Sequence, residues 1–226
     1  MLCLVYQKEL ENTKMKTLLI NAHPDYQNNN SFSATLQEKF LDKYAARFSN
    51  DDLTILNLYA TDIPRIEQDE LLGIWKKPAD NLPLTEAELA LAKQSQALLE
   101  QFKEHHRIVI VSPLHNFNVT SRMKDYIDNI LIARETFKYT ENGSVGLMTD
   151  DYQVLLLLAS GSIYTNQDRY TTLDFAPNYI RGIFQEIMGF DAFHLVRAQG
   201  TAVRSKEEIL AETDATLNKA FSEFYH

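Results

Sequence analysis

Residues 107–130 read RIVIVSPLHNFNVTSRMKDYIDNI. Arg107–Ser112 is a nearly unbroken apolar run, the pattern of a strand covered on both faces. Pro113–Ser121 is polar and aromatic. From Ser121 to about Arg134, Met123, Ile127, Ile130 and Leu131 recur at helical spacing. A buried strand, a polar loop and a helix in that order make the repeating half of a parallel α/β sheet.

Outward from this unit the same pattern returns. Thr17–Ala22, Leu53–Leu58, Gln153–Ala159 and Phe193–Ala198 read as strands, the last with more alternation. Ser33 to about Phe48 reads as a helix on Leu36, Phe40, Tyr44 and Phe48. Thr85 and Glu88 form a capping box, with Leu84 and Leu89 as its hydrophobic staple. Leu91, Leu98 and Phe102 continue that helix. Tyr179 to about Met188 is a further helix, and Ser205 with Glu208 makes a second capping box that opens the last one. Five strands alternating with five helices predict one doubly wound α/β domain. Three connections are long: Thr61–Pro83, Phe137–Asp151 and Gly161–Ala176. Such loops in a compact domain are usually functional or disordered.

Composition agrees. The 226 residues are 45% apolar and 23% charged, close to a soluble globular average. The 31 acidic and 22 basic residues leave a net charge of -9. That balance disfavours nucleic acid and anionic membranes as partners. No run of about 18 apolar residues is present to span a membrane. The lone Cys3 forms no internal disulfide and no metal pair, which fits a reducing, cytoplasmic setting. The start MLCLVYQKEL lacks a basic region and a cleavage site, so it reads as neither signal nor anchor. Met15 opens the first strand, so residues 1–14 are expected to be an extension and residues 15–226 the domain. His105-His106 is expected to be a solvated helix end, and His194 a packing or hydrogen-bonding residue.

Ligands of open α/β sheets bind at the carboxyl ends of strands. After the first strand comes His23-Pro24-Asp25-Tyr26-Gln27-Asn28-Asn29-Asn30-Ser31-Phe32-Ser33, entering a helix. A helix N-terminus with serine hydroxyls can hold a phosphate, although a serine cap alone is common. The glycine fingerprint of dinucleotide folds and the nucleotide P-loop are both absent. After the third strand, Asn116 offers donor and acceptor to a planar heteroaromatic edge; taken alone, an Asx turn capped by Thr120 or Ser121 is the simpler account of the loop. After the fourth strand, Ser160 and Ser162 flank Gly161, which permits close approach. These three polar loops should share one sheet edge. No GxSxG, HExxH or other metal-ligand spacing occurs.

The segment Pro113–Ser121, the Lys124–Asp128 stretch that follows, and Thr136–Gly143 (TFKYTENG) resemble the FMN-dependent NADH-azoreductase and quinone reductase family. The likeness runs from about Met15 into the final helix. It implies a flavodoxin-like fold: a doubly wound five-stranded parallel sheet, order 2-1-3-4-5, with helices on both faces. It also implies a homodimer with one FMN per subunit. By matching position, Ser31, Phe32 and Ser33 would cradle the phosphate with His23. Pro113, Leu114, His115, Asn116 and Phe117 would hold the isoalloxazine. Ala159, Ser160, Gly161 and Ser162 would make the second ring contact. Tyr139, Tyr164 and Ile187 would line the substrate cleft.

The implied reaction is ping-pong hydride transfer from NADH to quinones and aromatic azo compounds, the latter cleaved to amines. Backbone N–H groups of Leu114–Phe117 would stabilise charge on the reduced ring, with protons from water or His115. The family more often has serine at His23, arginine at Ser160 and an aromatic at Ile187. These departures bear on substrate preference and on NADH versus NADPH. The alternatives are a quinone or free-flavin reductase with little azo activity, a flavodoxin-type electron carrier, and a non-catalytic binding module.

Overall fold

The computed structural model describes residues 16–226; the expected extension 1–14, Cys3 and Met15 lie outside the described residues. The strands are β1 (Thr17–Asn21), β2 (Leu53–Asn57), β3 (Arg107–Pro113), β4 (Phe137–Thr140), β5 (Gly143–Gly146), β6 (Gln153–Ser160) and β7 (Ala192–Gln199). The α-helices are α1 (Phe32–Ala45), α2 (Leu71–Ala79), α3 (Glu86–Glu104), α4 (Ser121–Ile130), α5 (Phe175–Arg181) and α6 (Lys206–Phe224).

Five strands make a parallel sheet in the order β2-β1-β3-β6-β7. Successive side chains point to opposite faces, so each apolar run feeds two cores. Leu18, Ile20, Ile108, Ile110 and Leu156 pack with Phe102 of α3 and Met123 and Ile127 of α4. Leu19, Val109, Val111 and Leu155 pack with Leu36 and Phe40 of α1 and Leu217 and Phe221 of α6. This double burial is why the strands lack polar alternation. Each fully buried aliphatic or aromatic side chain contributes roughly 1.5–3 kcal/mol.

The capping signals hold in full at one helix N-terminus and by half at another, where the Glu208 side chain does not reach back to close the expected box. Thr85 and Glu88 form the reciprocal capping box of α3, and the Ser205 hydroxyl accepts the Glu208 N–H at 3.3 Å. Other boundaries are set by tertiary contacts. Helix α4 stops at Ile130, not near Arg134, because the Thr136 hydroxyl donates to the Ile130 carbonyl at 2.8 Å and Arg134 takes a left-handed φ of 75°. The helix expected over Tyr179–Met188 begins at Phe175 and widens into a π-helical turn over Gly182–Ile187. Two long connections contain structure of their own: α2 lies within Thr61–Pro83, and the antiparallel β4–β5 hairpin within Phe137–Asp151.

His105 and His106 correct the expectation of a solvated helix end. Both are buried. The His105 ring bonds the Gln101 carbonyl at 2.6 Å and the Thr54 hydroxyl at 2.9 Å. The His106 ring stacks on Tyr152 at 4.0 Å and bonds the Asp150 carbonyl at 2.7 Å. The chain turns directly from α3 into the central strand β3, which draws both imidazoles under the sheet. His194 matches its expected role, bonding the Gln153 amide oxygen at 2.9 Å.

Candidate functional site

Parallel pairing brings the carboxyl ends of β1, β3 and β6 to one edge, and hydrogen bonds join the loops that leave them. The Ala22 N–H donates to the Val111 carbonyl at 2.8 Å, and the Leu114 N–H to the Ala159 carbonyl at 2.7 Å. The Thr120 hydroxyl donates to the Ala22 carbonyl at 3.0 Å. The three loops picked out in the sequence therefore form one continuous rim.

The first loop supplies a helix N-terminus. Ser31 is the N-cap of α1, and its hydroxyl oxygen accepts the Ala34 N–H at 3.1 Å. The N–H groups of Phe32 and Ser33 keep no partner among the described residues. Those two amides, the positive end of a 14-residue helix and the serine hydroxyls suit a phosphate. His23 is tied into the loop: its N–H donates to the Asn21 side chain at 2.9 Å, and its Nδ1 accepts the Asp25 N–H at 3.1 Å. When neutral, its Nε2 therefore carries the proton and is a donor. His23 and Ser31 also border a cleft of about 420 Å³ along α1, with Asn28, Gln37, Glu38 and Asp42 on its other sides.

The second loop is a tight reverse turn. His115 and Asn118 exchange two backbone hydrogen bonds, each 3.0 Å. Asn116 and Phe117 between them both have positive φ, 47° and 67°. A left-handed phenylalanine is uncommon and costs about 1–2 kcal/mol; such strain clusters at ligand sites. The turn revises the list of available donors. The N–H groups of Leu114 and His115 are spent inside the protein, whereas those of Asn116 and Phe117 have no partner among the described residues. The expected four-donor row thus reduces to two amides and the Asn116 side chain, with Phe117 exposed beside them.

The third loop is held from within. Ser160 is buried, and its hydroxyl donates to the Ser162 carbonyl at 2.9 Å. The Thr201 and Ala202 N–H groups take the Ser160 and Gly161 carbonyls. A Cβ on Gly161 would meet only the Ala202 Cβ, at 3.8 Å. The chain's own packing does not demand glycine here; the bare backbone leaves room for a flat ligand. The residues present thus fit a phosphorylated planar group.

The three residues expected in a substrate cleft differ in exposure. Tyr139 on β4 is 75% exposed, and its ring meets that of Phe137 at 5.2 Å. Ile187 is half-buried in the π-helical turn. Tyr164 is only 6% exposed, turned against Tyr170 at 6.0 Å, with its N–H on the Gln199 side chain. It has little surface left for a ligand. Burial raises its hydroxyl pKa. The hairpin carrying Tyr139 docks on the π-helical turn through bare backbone: a Cβ on Gly146 would lie 2.4 Å from Gly189 N. Sequence reading missed this contact and the Thr120 bond. The paired glycines were the only trace of the first, and the second had no local signal.

Among the described residues, no group of three or more His, Cys, Asp or Glu could hold a metal. No helix among them is long and apolar enough to cross a membrane.

A parallel α/β sheet with free amides on two loops of its carboxyl edge defines a class of proteins that hold a phosphorylated planar ligand across that edge. Within that class, the chain belongs to the family with the flavodoxin-like fold, whose model matches residues 15–221. It is 55% identical over 212 residues to FMN-dependent NADH:quinone oxidoreductase 1 of Lactiplantibacillus plantarum, covering 93% of this chain and 99% of that one. It is 52% identical over 211 residues to FMN-dependent NADH:quinone oxidoreductase of Streptococcus agalactiae, covering 93% and 99%. Among solved structures, an FMN-dependent NADH-azoreductase from Bacillus anthracis in complex with FMN is 42% identical. It superposes with a TM-score of 0.87 over 94% of this chain and 100% of that one.

Proposed function

We propose that this protein is an FMN-dependent oxidoreductase that takes two electrons from NADH and passes them to quinones and aromatic azo compounds. One observation carries the reading: the free Phe32 and Ser33 amides and the free Asn116 and Phe117 amides lie on loops bonded into one rim. Relatives with this fold are named for FMN, NADH and quinone or azo reduction.

Ser31, Phe32, Ser33 and His23 hold the phosphate. Asn116, Phe117 and the Ala159–Ser162 backbone would hold the ring, together with Pro113 and Leu114. When bound, FMN supplies the two-electron redox chemistry, which is why the chain needs no nucleophile or triad. The Asn116 and Phe117 N–H groups act as preorganised donors toward negative charge on the reduced ring. His115, exposed at the turn, and water are the proton sources on that side. Tyr139 and Ile187 shape the place that NADH and the acceptor occupy in turn.

The remaining features belong to the same reading. Residues 15–226 form one doubly wound domain of order 2-1-3-4-5. Exposed Tyr139, Val145 and Leu147 on and beside the hairpin pair two copies into a homodimer. The protein works in the cytoplasm, without nucleic acid or membrane partners.

The test is the visible spectrum of purified protein followed by anaerobic NADH. Flavin absorbance that bleaches on adding NADH is expected; a colourless protein that takes up no FMN would refute the reading. Steady NADH oxidation with quinone, without a separate reductase, distinguishes an enzyme from an electron carrier.

A further inference from the structure

We infer that Thr120 is a positioning residue for the flavin: its hydroxyl straps the ring turn to the end of β1. The inference rests on the proposed function and concerns how the site is held.

Thr120 occupies the N-cap position of α4, with extended backbone at φ -69° and ψ 158°. In that position a threonine hydroxyl ordinarily accepts an N–H from its own first turn, and losing that bond costs about 1 kcal/mol. Here the hydroxyl makes no such bond. It reaches 98 residues back in the chain and donates to the Ala22 carbonyl at 3.0 Å, with Thr120 itself 1% exposed. The helix lacks a side-chain cap, and the hydroxyl serves instead as the donor of a long-range tie.

The tie joins the two loops that hold opposite ends of the ligand. Ala22 directly precedes His23 and the loop to the Phe32 and Ser33 amides. Thr120 lies two residues beyond Asn118, which closes the turn carrying the Asn116 and Phe117 amides. Ala22 also donates to Val111 of β3 at 2.8 Å. Ala22 is therefore bonded on its N–H side to the strand that launches the ring turn, and on its carbonyl side to the helix that follows it. The strap fixes the spacing between phosphate donors and ring donors. The strained Asn116–Phe117 turn needs such a base, because left-handed residues persist only where the surroundings over-determine them. Without the hydroxyl, the buried Ala22 carbonyl also loses its partner.

Thr120→Val keeps the shape and removes the donor; Thr120→Ser keeps the donor. Holoprotein of each is diluted, and released FMN is read by its fluorescence. The midpoint potential of the bound flavin is measured alongside. Thr120→Val should raise the dissociation constant about tenfold and shift the potential negative, because the displaced turn donors stabilise the reduced ring less. Thr120→Ser should restore both. A valine variant matching wild type in both readouts overturns the inference, and so does a serine variant as impaired as valine, since packing rather than the hydroxyl would then matter. If the valine variant does not fold, Thr120→Ala against Thr120→Ser is read by the same two criteria. Wild-type protein that binds no FMN refutes the proposed function itself; flavin-binding wild type with an unaffected valine variant refutes only the strap.

Discussion

The two edges of the sheet use the same residue types for opposite ends. At the amino edge, charged and aromatic polar groups are buried and largely bonded to one another, with the Arg107 Nε lacking a partner there among the described residues. Arg107 is fully buried; it pairs with Asp151 at 2.9 Å and lies 5.9 Å from the Phe224 ring centroid. The Tyr225 and Thr17 hydroxyls bond at 2.8 Å, and three histidines are packed nearby. At the carboxyl edge, His23 and His115 are open to solvent in part or whole, and backbone amides remain unspent. A parallel sheet makes this asymmetry natural. Its strand starts receive helices already capped and packed, whereas its strand ends launch loops toward helix N-termini whose donors point outward. Polar groups that are satisfied hold the fold; polar groups left open define the site.

That contrast can be broken, most severely at the amino edge. Arg107→Met leaves Asp151 without its partner and should cost about 3 kcal/mol in urea unfolding, while flavin affinity stays unchanged. A comparable loss of flavin would erase the distinction between the edges.

Gly146→Ala should come next. The new methyl collides with backbone at Met188 and Gly189, so about 2 kcal/mol of stability is lost. The hairpin bearing Tyr139 shifts with it, and the quinone KM should rise while flavin retention holds.

Asn116→Gly should show the reverse balance. Glycine accepts the left-handed turn, so thermal stability is kept, but the amide is gone and the flavin dissociation constant should rise about fivefold. An unchanged constant would remove Asn116 from the site.

The mildest test is pH. Burial lowers the pKa of His105, His106 and His194 from their ordinary 6.5. The folded protein keeps these rings neutral, while the unfolded chain protonates them. Their stabilising effect is complete above pH 6.5 and is lost as pH falls from there through the lowered folded values. Urea midpoints should decline over that range, and His106→Phe should flatten the decline. A profile that stays flat in the unsubstituted protein would mean that these rings titrate freely, as on a solvated helix end.

Most of the fold was readable because burial on two faces writes unbroken apolar runs into the strands. All five sheet strands fall within one or two residues of their expected ends. The capping residues at Thr85 and Ser205 gave two helix starts for a local reason. What escaped was mostly non-local. The hairpin depends on a glycine contact with a turn more than 40 residues away, the burial of His105 on Thr54 and that of His106 on Tyr152; only the end of α4, set by Thr136 six residues on, is a near-neighbour effect.

The candidate site divides in the same way. Its three loops could be named from residues 23–33, 113–121 and 159–162, because polar residues at the ends of buried strands stand out. Which amides remain available could not be read there. Leu114 and His115 look like donors in the sequence, yet their N–H groups are taken by Ala159 and Asn118, and Thr120 looks like a cap but bonds to Ala22. The sequence by itself determined the sheet, its two cores and the edge where a ligand sits, since these follow from local periodicity and capping chemistry. The tertiary structure alone decided which polar groups are spent and which are free, because a hydrogen bond has two partners and here the second was supplied from a distant part of the chain.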